Sequence, residues 1–261
     1  MDLDLRGRHA LVCGGSAGIG RALALELAGL GARVTLLARH PGPLDATLAE
    51  LPAAQGQAHA RHAVDLGQPE ALAALLAGPL AAGDVDILVN NSGGPPGGPL
   101  LDAPCAAFEA AFAPHLLASH RLVQAVVPGM RARRFGRILN IVSTSVYEPI
   151  PGLGVSNTLR AAMAGWAKTL SRELAPHGIT VNNVLPGYTR TRRIAEIVAQ
   201  RQAAEGRSAA DIEADLLAHV PAGRMAEPTE VAAVAAFLCT PAAGYVTGVS
   251  IAVDGGRMHS I

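Results

Sequence analysis

The sequence predicts an α/β protein built on a parallel, doubly wound sheet. Short apolar segments alternate with alanine- and leucine-rich helical stretches along the chain, as in repeated strand–helix–strand units. The apolar segments are mostly continuous rather than alternating with polar residues, which is typical of strands buried on both faces. No linker or composition shift divides residues 1–261, so a single domain is expected.

The elements follow in chain order from this pattern. Most predicted strands are rich in Val, Ile and Leu, and the helices between them begin near glycine or proline, which are common at helix starts. The seven predicted strands cover residues 9–13, 33–38, 61–64, 85–90, 137–142, 179–185 and 249–253. Helices are predicted at 18–30, 44–51, 69–76, 105–130, 156–175 and from near 229.

Residues 189–220 interrupt the alternation. This polar, amphipathic stretch lies between the sixth strand and the last predicted helix. Long insertions at the carboxyl edge of a parallel sheet commonly cover a ligand, so we expect a flap over a binding site. The flap begins with Arg190, Arg192 and Arg193, which either guide an anionic substrate or remain solvated.

Composition excludes several classes of protein. The chain is 50% hydrophobic and 16% charged, which excludes a disordered chain. It carries 21 basic and 21 acidic residues, so a nucleic-acid partner is disfavoured. With aromatic residues at only 3%, a base-stacking surface is also disfavoured.

The chain shows no sign of membrane insertion, secretion or metal binding. No apolar run reaches the roughly 18 residues of a membrane span, and the first residues lack the basic-then-apolar order of a signal peptide. Cys13, Cys105 and Cys239 have no metal-ligand spacing. We expect three small buried thiols in a cytoplasmic protein, with no metal site.

A glycine-rich turn follows the first strand and opens the first helix. Gly14, Ser16, Gly18, Ile19 and Gly20 lie in it, and the missing Cβ atoms allow a diphosphate to approach the backbone. The free N–H groups and the helix dipole favour its negative charge. A dinucleotide site is expected here.

The end of the second strand indicates which dinucleotide binds. An acidic residue there hydrogen-bonds the ribose of NAD, whereas Arg39 follows Ala38 in this chain. A guanidinium pairs with a 2′-phosphate instead, so NADP(H) is favoured over NAD(H). Asp65 and Asn91, after the third and fourth strands, are expected along the adenine and ribose, although Asp65 can equally cap the next helix.

The motifs together resemble the short-chain dehydrogenase/reductase family, especially its β-ketoacyl-carrier-protein reductase-like branch. They are the glycine turn, Asn90-Asn91-Ser92-Gly93, the run from Gly136 to Ser143, Pro186-Gly187, and Val253-Asp254-Gly255-Gly256. The resemblance implies a Rossmann-type fold, a nicotinamide cofactor and a homotetramer or homodimer. The cofactor contacts that it implies include Asp65, Leu66, Asn91, Gly93, Pro186, Gly187 and Thr191.

The resemblance also implies a catalytic set of Asn, Ser, Tyr and Lys, which this chain matches at one position. Ser143 is the expected serine. The tyrosine position is Ser156, the lysine position is Arg160, and the asparagine position is His115. Residues 156 and 160 share a helix face, but a serine hydroxyl is a far weaker acid than a phenol. Arginine does not release its proton.

Three side chains are candidates for a replacement proton donor. The ordinary pKa of histidine, about 6.5, suits acid–base work near neutral pH, so His115 is either a relay or a core histidine. Tyr147 and Tyr188 lie where the family contacts substrate. Each is either a displaced donor or an aromatic wall of the pocket.

The leading hypothesis is an NADP(H)-dependent oxidoreductase of atypical short-chain type, acting on a small carbonyl or alcohol substrate. Ser143 would hydrogen-bond the substrate oxygen, with Ser156 and Arg160 ordering cofactor and water. The alternative is an NADP(H)-binding sensor or partner subunit with little or no dehydrogenase activity. Non-redox chemistry in the same pocket is a third possibility.

Overall fold

Seven parallel strands form one sheet in the computed structural model, which describes residues 1–260. The strands are β1 (His9–Cys13), β2 (Arg33–Ala38), β3 (Ala60–Ala63), β4 (Ile87–Asn90), β5 (Gly136–Ile141), β6 (Ile179–Pro186) and β7 (Ser250–Val253). The helices are α1 (Gly18–Gly29), α2 (Pro41–Glu50), α3 (Pro69–Ala77), α4 (Cys105–Phe112), α5 (Ala118–Arg133), α6 (Gly154–Leu174), α7 (Arg192–Glu205), α8 (Ala209–Leu217) and α9 (Pro228–Leu238).

The strand order is β3-β2-β1-β4-β5-β6-β7. The chain first builds outward from β1 to β3, then crosses back to add β4 on the other side of β1. The order therefore reverses between β1 and β4, and ligands of open parallel sheets bind at the carboxyl ends of the strands beside such a reversal. The predicted fold class, a Rossmann-type doubly wound sheet, is confirmed.

The core has two layers because successive side chains of a strand point to opposite faces of the sheet. Val12 of β1 packs in one cluster with Leu23 of α1 and Val231 of α9. Leu11, its neighbour in β1, packs in the other cluster with Leu122 of α5. Helices thus cover both faces, which explains the continuous apolar runs in the sequence.

A chain of polar side chains crosses the second half of the sheet. Asn90, Asn140, Asn183 and Ser250 are neighbours in the strand registers of β4, β5, β6 and β7. The amide of Asn90 donates to Asn140 Oδ1 at 2.8 Å, and Asn140 Nδ2 donates to Asn183 Oδ1 at 2.8 Å. Asn183 Nδ2 then donates to Ser250 Oγ at 3.0 Å. These bonds favour a single register of the four strands.

Element ends differ from the predictions by a few residues. β4 begins at Ile87 rather than residue 85. Just before it, the His9 N–H donates to the Asp86 carboxylate at 3.0 Å, whereas in a regular strand pair it would donate to a backbone carbonyl. α2 begins at Pro41 rather than residue 44, because proline is well suited to the first helical turn. Cys105 is exposed, so the expectation of three buried thiols is wrong at that position.

The predicted flap region contains α7 and α8. Ile194 and Val198 of α7 pack with Ile212 and Leu216 of α8 in a small separate cluster. Within residues 1–260, no helix has the length and apolar character to cross a membrane. The same residues contain no group of three or more His, Cys, Asp or Glu side chains positioned to hold a metal ion.

Candidate active site

The glycine turn between β1 and α1 has no room for larger side chains. Gly14 and Gly18 have positive φ angles of 61° and 54°, which disfavour residues with a Cβ atom. A Cβ on Gly14 would lie 2.6 Å from Asn91 Nδ2, and one on Gly20 would lie 2.5 Å from the same atom. The turn is therefore pressed against the end of β4.

Asn91 joins the two strands that flank the reversal of strand order. Its Nδ2 donates to the Cys13 carbonyl at 3.3 Å, across the carboxyl ends of β1 and β4. Ser16 and Ile19, both half-buried, complete the turn. α1 has no side-chain cap at Ala17 and no acidic residue in its first turn, so its first N–H groups are available to an anion.

Arg39 lies at the end of β2, next to this turn. The Gly15 N–H donates to the Leu37 carbonyl at 3.2 Å and holds the turn beside β2. The Arg39 side chain is exposed, and none of the salt bridges formed within residues 1–260 includes it. Arg39 is therefore a cation without a carboxylate partner, two residues after Leu37, which contacts the glycine turn.

Asp65 and Leu66 lie just beyond β3. Asp65 Oδ1 accepts the Gly67 N–H at 2.9 Å, whereas α3 begins only at Pro69. The alternative in which Asp65 caps the next helix is therefore wrong, since Gln68 occupies the cap position. The Leu66 side chain packs against one of the two main cores, and the turn keeps the Asp65 carboxylate at the carboxyl edge of the sheet.

The remaining predicted cofactor contacts lie beyond β6 and beyond β4. A Cβ on Gly187 would lie 2.7 Å from the Cα of Asp254, so the Pro186-Gly187 turn is tightly packed against the chain after β7. Thr191 precedes α7, and its Cγ2 would lie 3.3 Å from a Cβ on Gly18. Gly93 is exposed in the loop after β4.

Arg160 of α6 contacts the end of β5, and Ser143 follows that strand. Arg160 Nη1 donates to the Ile141 carbonyl at 3.1 Å, two residues before Ser143. Ser143 has an extended backbone, and its Oγ accepts the Ser145 N–H at 3.1 Å. Ser156, one helical turn before Arg160, is 8% exposed.

The Arg160 guanidinium retains unused donors. Its Nε is buried and has no hydrogen-bond partner among the residues that the structure describes. Burial and the nearby charge of Arg193 lower the pKa of Arg160 to about 10. The side chain is therefore still cationic at neutral pH and can donate hydrogen bonds, but it does not release a proton.

His115 lies on a single π-helical turn, Ala113–Leu117, between α4 and α5. It is 4% exposed, and its Nδ1 is 2.5 Å from Ser92 Oγ. Burial, reinforced by the charges of Arg160 and Arg193, lowers the pKa of His115 to about 3, although a hydrogen bond to the backbone of Gly93 opposes this. The imidazole is thus neutral near pH 7, so it is not an imidazolium acid.

The two candidate tyrosines have different surroundings. Tyr147 is 54% exposed and lines a surface depression of about 520 Å³ together with Ser145 and Asn157. Tyr188 is half-buried against the α7–α8 cluster, and the Arg257 guanidinium lies 5.1 Å from its ring centroid. Tyr188 therefore has the surroundings of a pocket wall, whereas the phenol of Tyr147 is accessible to solvent.

Sequence reasoning missed the contacts that residues 257–260 make beyond β7. Arg257 Nη1 donates to Thr144 Oγ1 at 3.1 Å, next to Ser143. Glu148 accepts the backbone N–H groups of His259 at 2.7 Å and Ser260 at 2.8 Å, and these donors lower its pKa. No local signal predicts these contacts, because the partners are more than a hundred residues apart.

Comparisons with known proteins show which family the chain belongs to. A family model described as enoyl-(acyl carrier protein) reductase matches residues 14–258. A solved short chain dehydrogenase/reductase family protein is 34% identical over 97% of this chain and 98% of its own, with a TM-score of 0.82. The chain belongs to the short-chain dehydrogenase/reductase family.

Two further members of this family are similar over nearly the whole chain. 3-Oxoacyl-[acyl-carrier-protein] reductase FabG of Vibrio harveyi is 33% identical over 97% of this chain and 98% of its own. L-Sorbose reductase from Gluconobacter frateurii, solved in complex with NADPH and L-sorbose, is 30% identical over 100% of both chains, with a TM-score of 0.92. These relatives are oxidoreductases.

Proposed function

We propose that this protein is an NADP(H)-dependent oxidoreductase that interconverts a carbonyl compound and an alcohol. The observation that carries the proposal is the position of the Arg160 guanidinium at the end of β5, with one donor bonded to Ile141 and another buried and unused. The Nη2 group of the same guanidinium forms no hydrogen bond within residues 1–260 and is not fully buried, so it can donate to a ligand. Ribose hydroxyls are suitable acceptors for a planar guanidinium.

The residues present fit a phosphorylated dinucleotide. The glycine turn excludes Cβ atoms beside the uncapped first turn of α1, which suits a diphosphate. Arg39, exposed and without a carboxylate partner, suits a 2′-phosphate. Asp65, Asn91 and Thr191 would flank the remainder of the cofactor, and the NADPH complex of L-sorbose reductase supports the choice of NADP(H).

The roles of the chain's own residues follow from their positions. When bound, NADP(H) would supply or accept the hydride. The Ser143 hydroxyl, on extended backbone after β5, would donate to the substrate oxygen. Ser156 and Arg160 share a face of α6 and would order the cofactor and a water molecule. The α7–α8 region would act as the flap that keeps solvent away.

The proton would reach the substrate oxygen through water. Arg160 remains charged and His115 remains neutral near pH 7, because their pKa values are about 10 and about 3. Neither is therefore an efficient acid at that pH. A neutral His115 bonded to Ser92 would orient the water chain rather than supply the proton.

The charged Arg160 and the neutral His115 also favour a second function. A protein in which neither Arg160 nor His115 supplies a proton would bind NADP(H) and report its presence with little or no turnover. Fluorescence titration with NADPH and NADH, followed by a panel of ketones, aldehydes and alcohols, separates the two functions. Turnover supports the oxidoreductase, and tight NADPH binding without turnover on any substrate supports the sensor. Absence of NADPH binding contradicts both.

A further inference from the structure

The three arginines at the start of the flap region have different surroundings. Arg190 pairs with Glu227 at 2.9 Å and Arg192 pairs with Glu196 at 3.2 Å, and their side chains are 60% and 79% exposed. Arg193 is only 30% exposed. The first two are therefore solvated ion pairs of little energetic weight, whereas Arg193 is turned toward the protein.

Arg193 lies over the loop that follows β4. Its Nη2 donates to the Pro95 carbonyl at 2.6 Å, and its guanidinium would lie 3.4 Å from a Cβ on Gly94. The carboxylate of Glu196 is 3.8 Å from Nη1, which is too long for a hydrogen bond. One half of the guanidinium is thus anchored to the loop, and the other half has only the long ion pair with Glu196, which also pairs with Arg192.

The charge of Arg193 acts on two of the predicted site residues. It contributes to lowering the pKa of both Arg160 and His115. Two guanidinium groups therefore act on one partly desolvated site, and no carboxylate within residues 1–260 forms a salt bridge with Arg160. Like charges in such surroundings repel each other, and a bound anion would remove that repulsion.

We propose that Arg193 binds a carboxylate of the substrate, so that the protein acts on oxo acids or hydroxy acids rather than on neutral carbonyl compounds. The inference rests on the function proposed above and specifies its substrate class. Guanidinium–carboxylate pairs are strong and often bidentate. The diphosphate of the cofactor is a second source of anionic oxygens, but the flap residue beside the glycine turn is Thr191. Arg193 instead contacts the loop after β4.

The test compares acids with their methyl esters. Acetoacetate, benzoylformate and levulinate, each paired with its methyl ester, are titrated by calorimetry into the protein with and without saturating NADPH, and NADPH oxidation is followed separately. The variants are Arg193→Gln, Arg193→Lys and, as a matched control from the same segment, Arg192→Gln. We expect at least one acid to bind wild type about tenfold or more tightly than its ester.

The preference for the acid should disappear in Arg193→Gln, survive in part in Arg193→Lys and remain whole in Arg192→Gln. Equal binding of every acid and its ester by the wild type would overturn the proposal. So would an Arg193→Gln variant that loses affinity for NADPH yet keeps its preference for the acid, because Arg193 would then serve the cofactor. A wild type that does not bind NADPH contradicts the proposed function instead, whatever the acid titrations show.

Discussion

Ser92 Oγ and His115 Nδ1 lie 2.5 Å apart, joining the loop after β4 to the π-helical turn before α5. Burial, together with the charges of Arg160 and Arg193, lowers the pKa of His115 to about 3. A histidine placed in this way is a neutral hydrogen-bonding group. It is hydrogen-bonded to Ser92, and its protonation is coupled to the stability of the fold.

The first prediction concerns stability at acid pH. The pKa of His115 in the folded protein, about 3, lies below its unfolded value of about 6.5. The folded state therefore binds fewer protons than the unfolded state, so the contribution of His115 to stability is fully present above about pH 6.5. It is lost as pH falls toward 3, at about 1.4 kcal/mol per pH unit at most.

Urea unfolding at pH 7, 5.5 and 4 measures this loss. The free energy of unfolding of wild type should fall by a few kcal/mol across the range, and part of this slope should be absent in His115→Asn. His219→Asn, at an exposed position, is the control and should follow wild type. Parallel curves for wild type and His115→Asn would contradict the lowered pKa.

The second prediction concerns the serine and arginine on α6. Because Ser156 and Arg160 share a helix face, the double change Ser156→Tyr with Arg160→Lys introduces a phenol and a lysine at the predicted family positions. We expect carbonyl reduction by NADPH to rise about 100-fold, the lower range of general acid catalysis. The control is Ser156→Phe with Arg160→Lys, which has similar bulk but lacks the phenol hydroxyl. Its rate of carbonyl reduction should not rise. Equal rates in both variants would mean that the pocket has diverged elsewhere.

The third prediction concerns cofactor choice. Arg39→Gln removes an exposed cation at the end of β2, so the dissociation constant for NADPH should rise about 10-fold to 100-fold. The constant for NADH should change little, because NADH has no 2′-phosphate. Fluorescence titration measures both, and Arg131→Gln, exposed on α5, is the control. An equal loss for both dinucleotides would contradict the assignment of Arg39.

Local signals in the sequence predicted the sheet and the glycine turn, while the properties of the site residues depend on distant contacts. Gly14 and Gly18 need positive φ angles, a requirement that glycine spacing reveals directly. The pKa of His115 depends on burial and on Arg160 and Arg193, which are far from it in the chain. The identity of residue 115 therefore predicted a titratable group near neutral pH, and the surroundings removed that property.

Polar residues within apolar strands escaped prediction for a related reason. Asn140 is fully buried at 0% exposure, and its partners lie on two neighbouring strands. Only the observed register, which pairs Asn90 with Asn140 and Asn140 with Asn183, shows that the three amides can bond in sequence. Strand order and register together are needed before such a chain of hydrogen bonds can be recognised.

The fourth prediction tests this chain of amides. Asn140→Ala leaves Asn90 Nδ2 and Asn183 Oδ1 without their partners in the sheet interior. A buried polar group without a partner costs about 1 to 3 kcal/mol, so we expect the free energy of unfolding to fall by about 3 kcal/mol or more. Urea unfolding measures it, with Asn157→Ala, whose hydrogen bonds join α6 to a surface loop, as the control.

A second substitution separates the hydrogen bonds from the cavity that alanine leaves. In Asn140→Ala the amide of Asn183 has already lost one partner, so adding Asn183→Ala should cost less than it does in wild type. We expect a coupling of about 1 kcal/mol or more between the two changes, because contacting residues of one network are not independent. Strictly additive losses would mean that the two amides contribute separately, and that packing rather than the chain of hydrogen bonds fixes the register of β5 against β6.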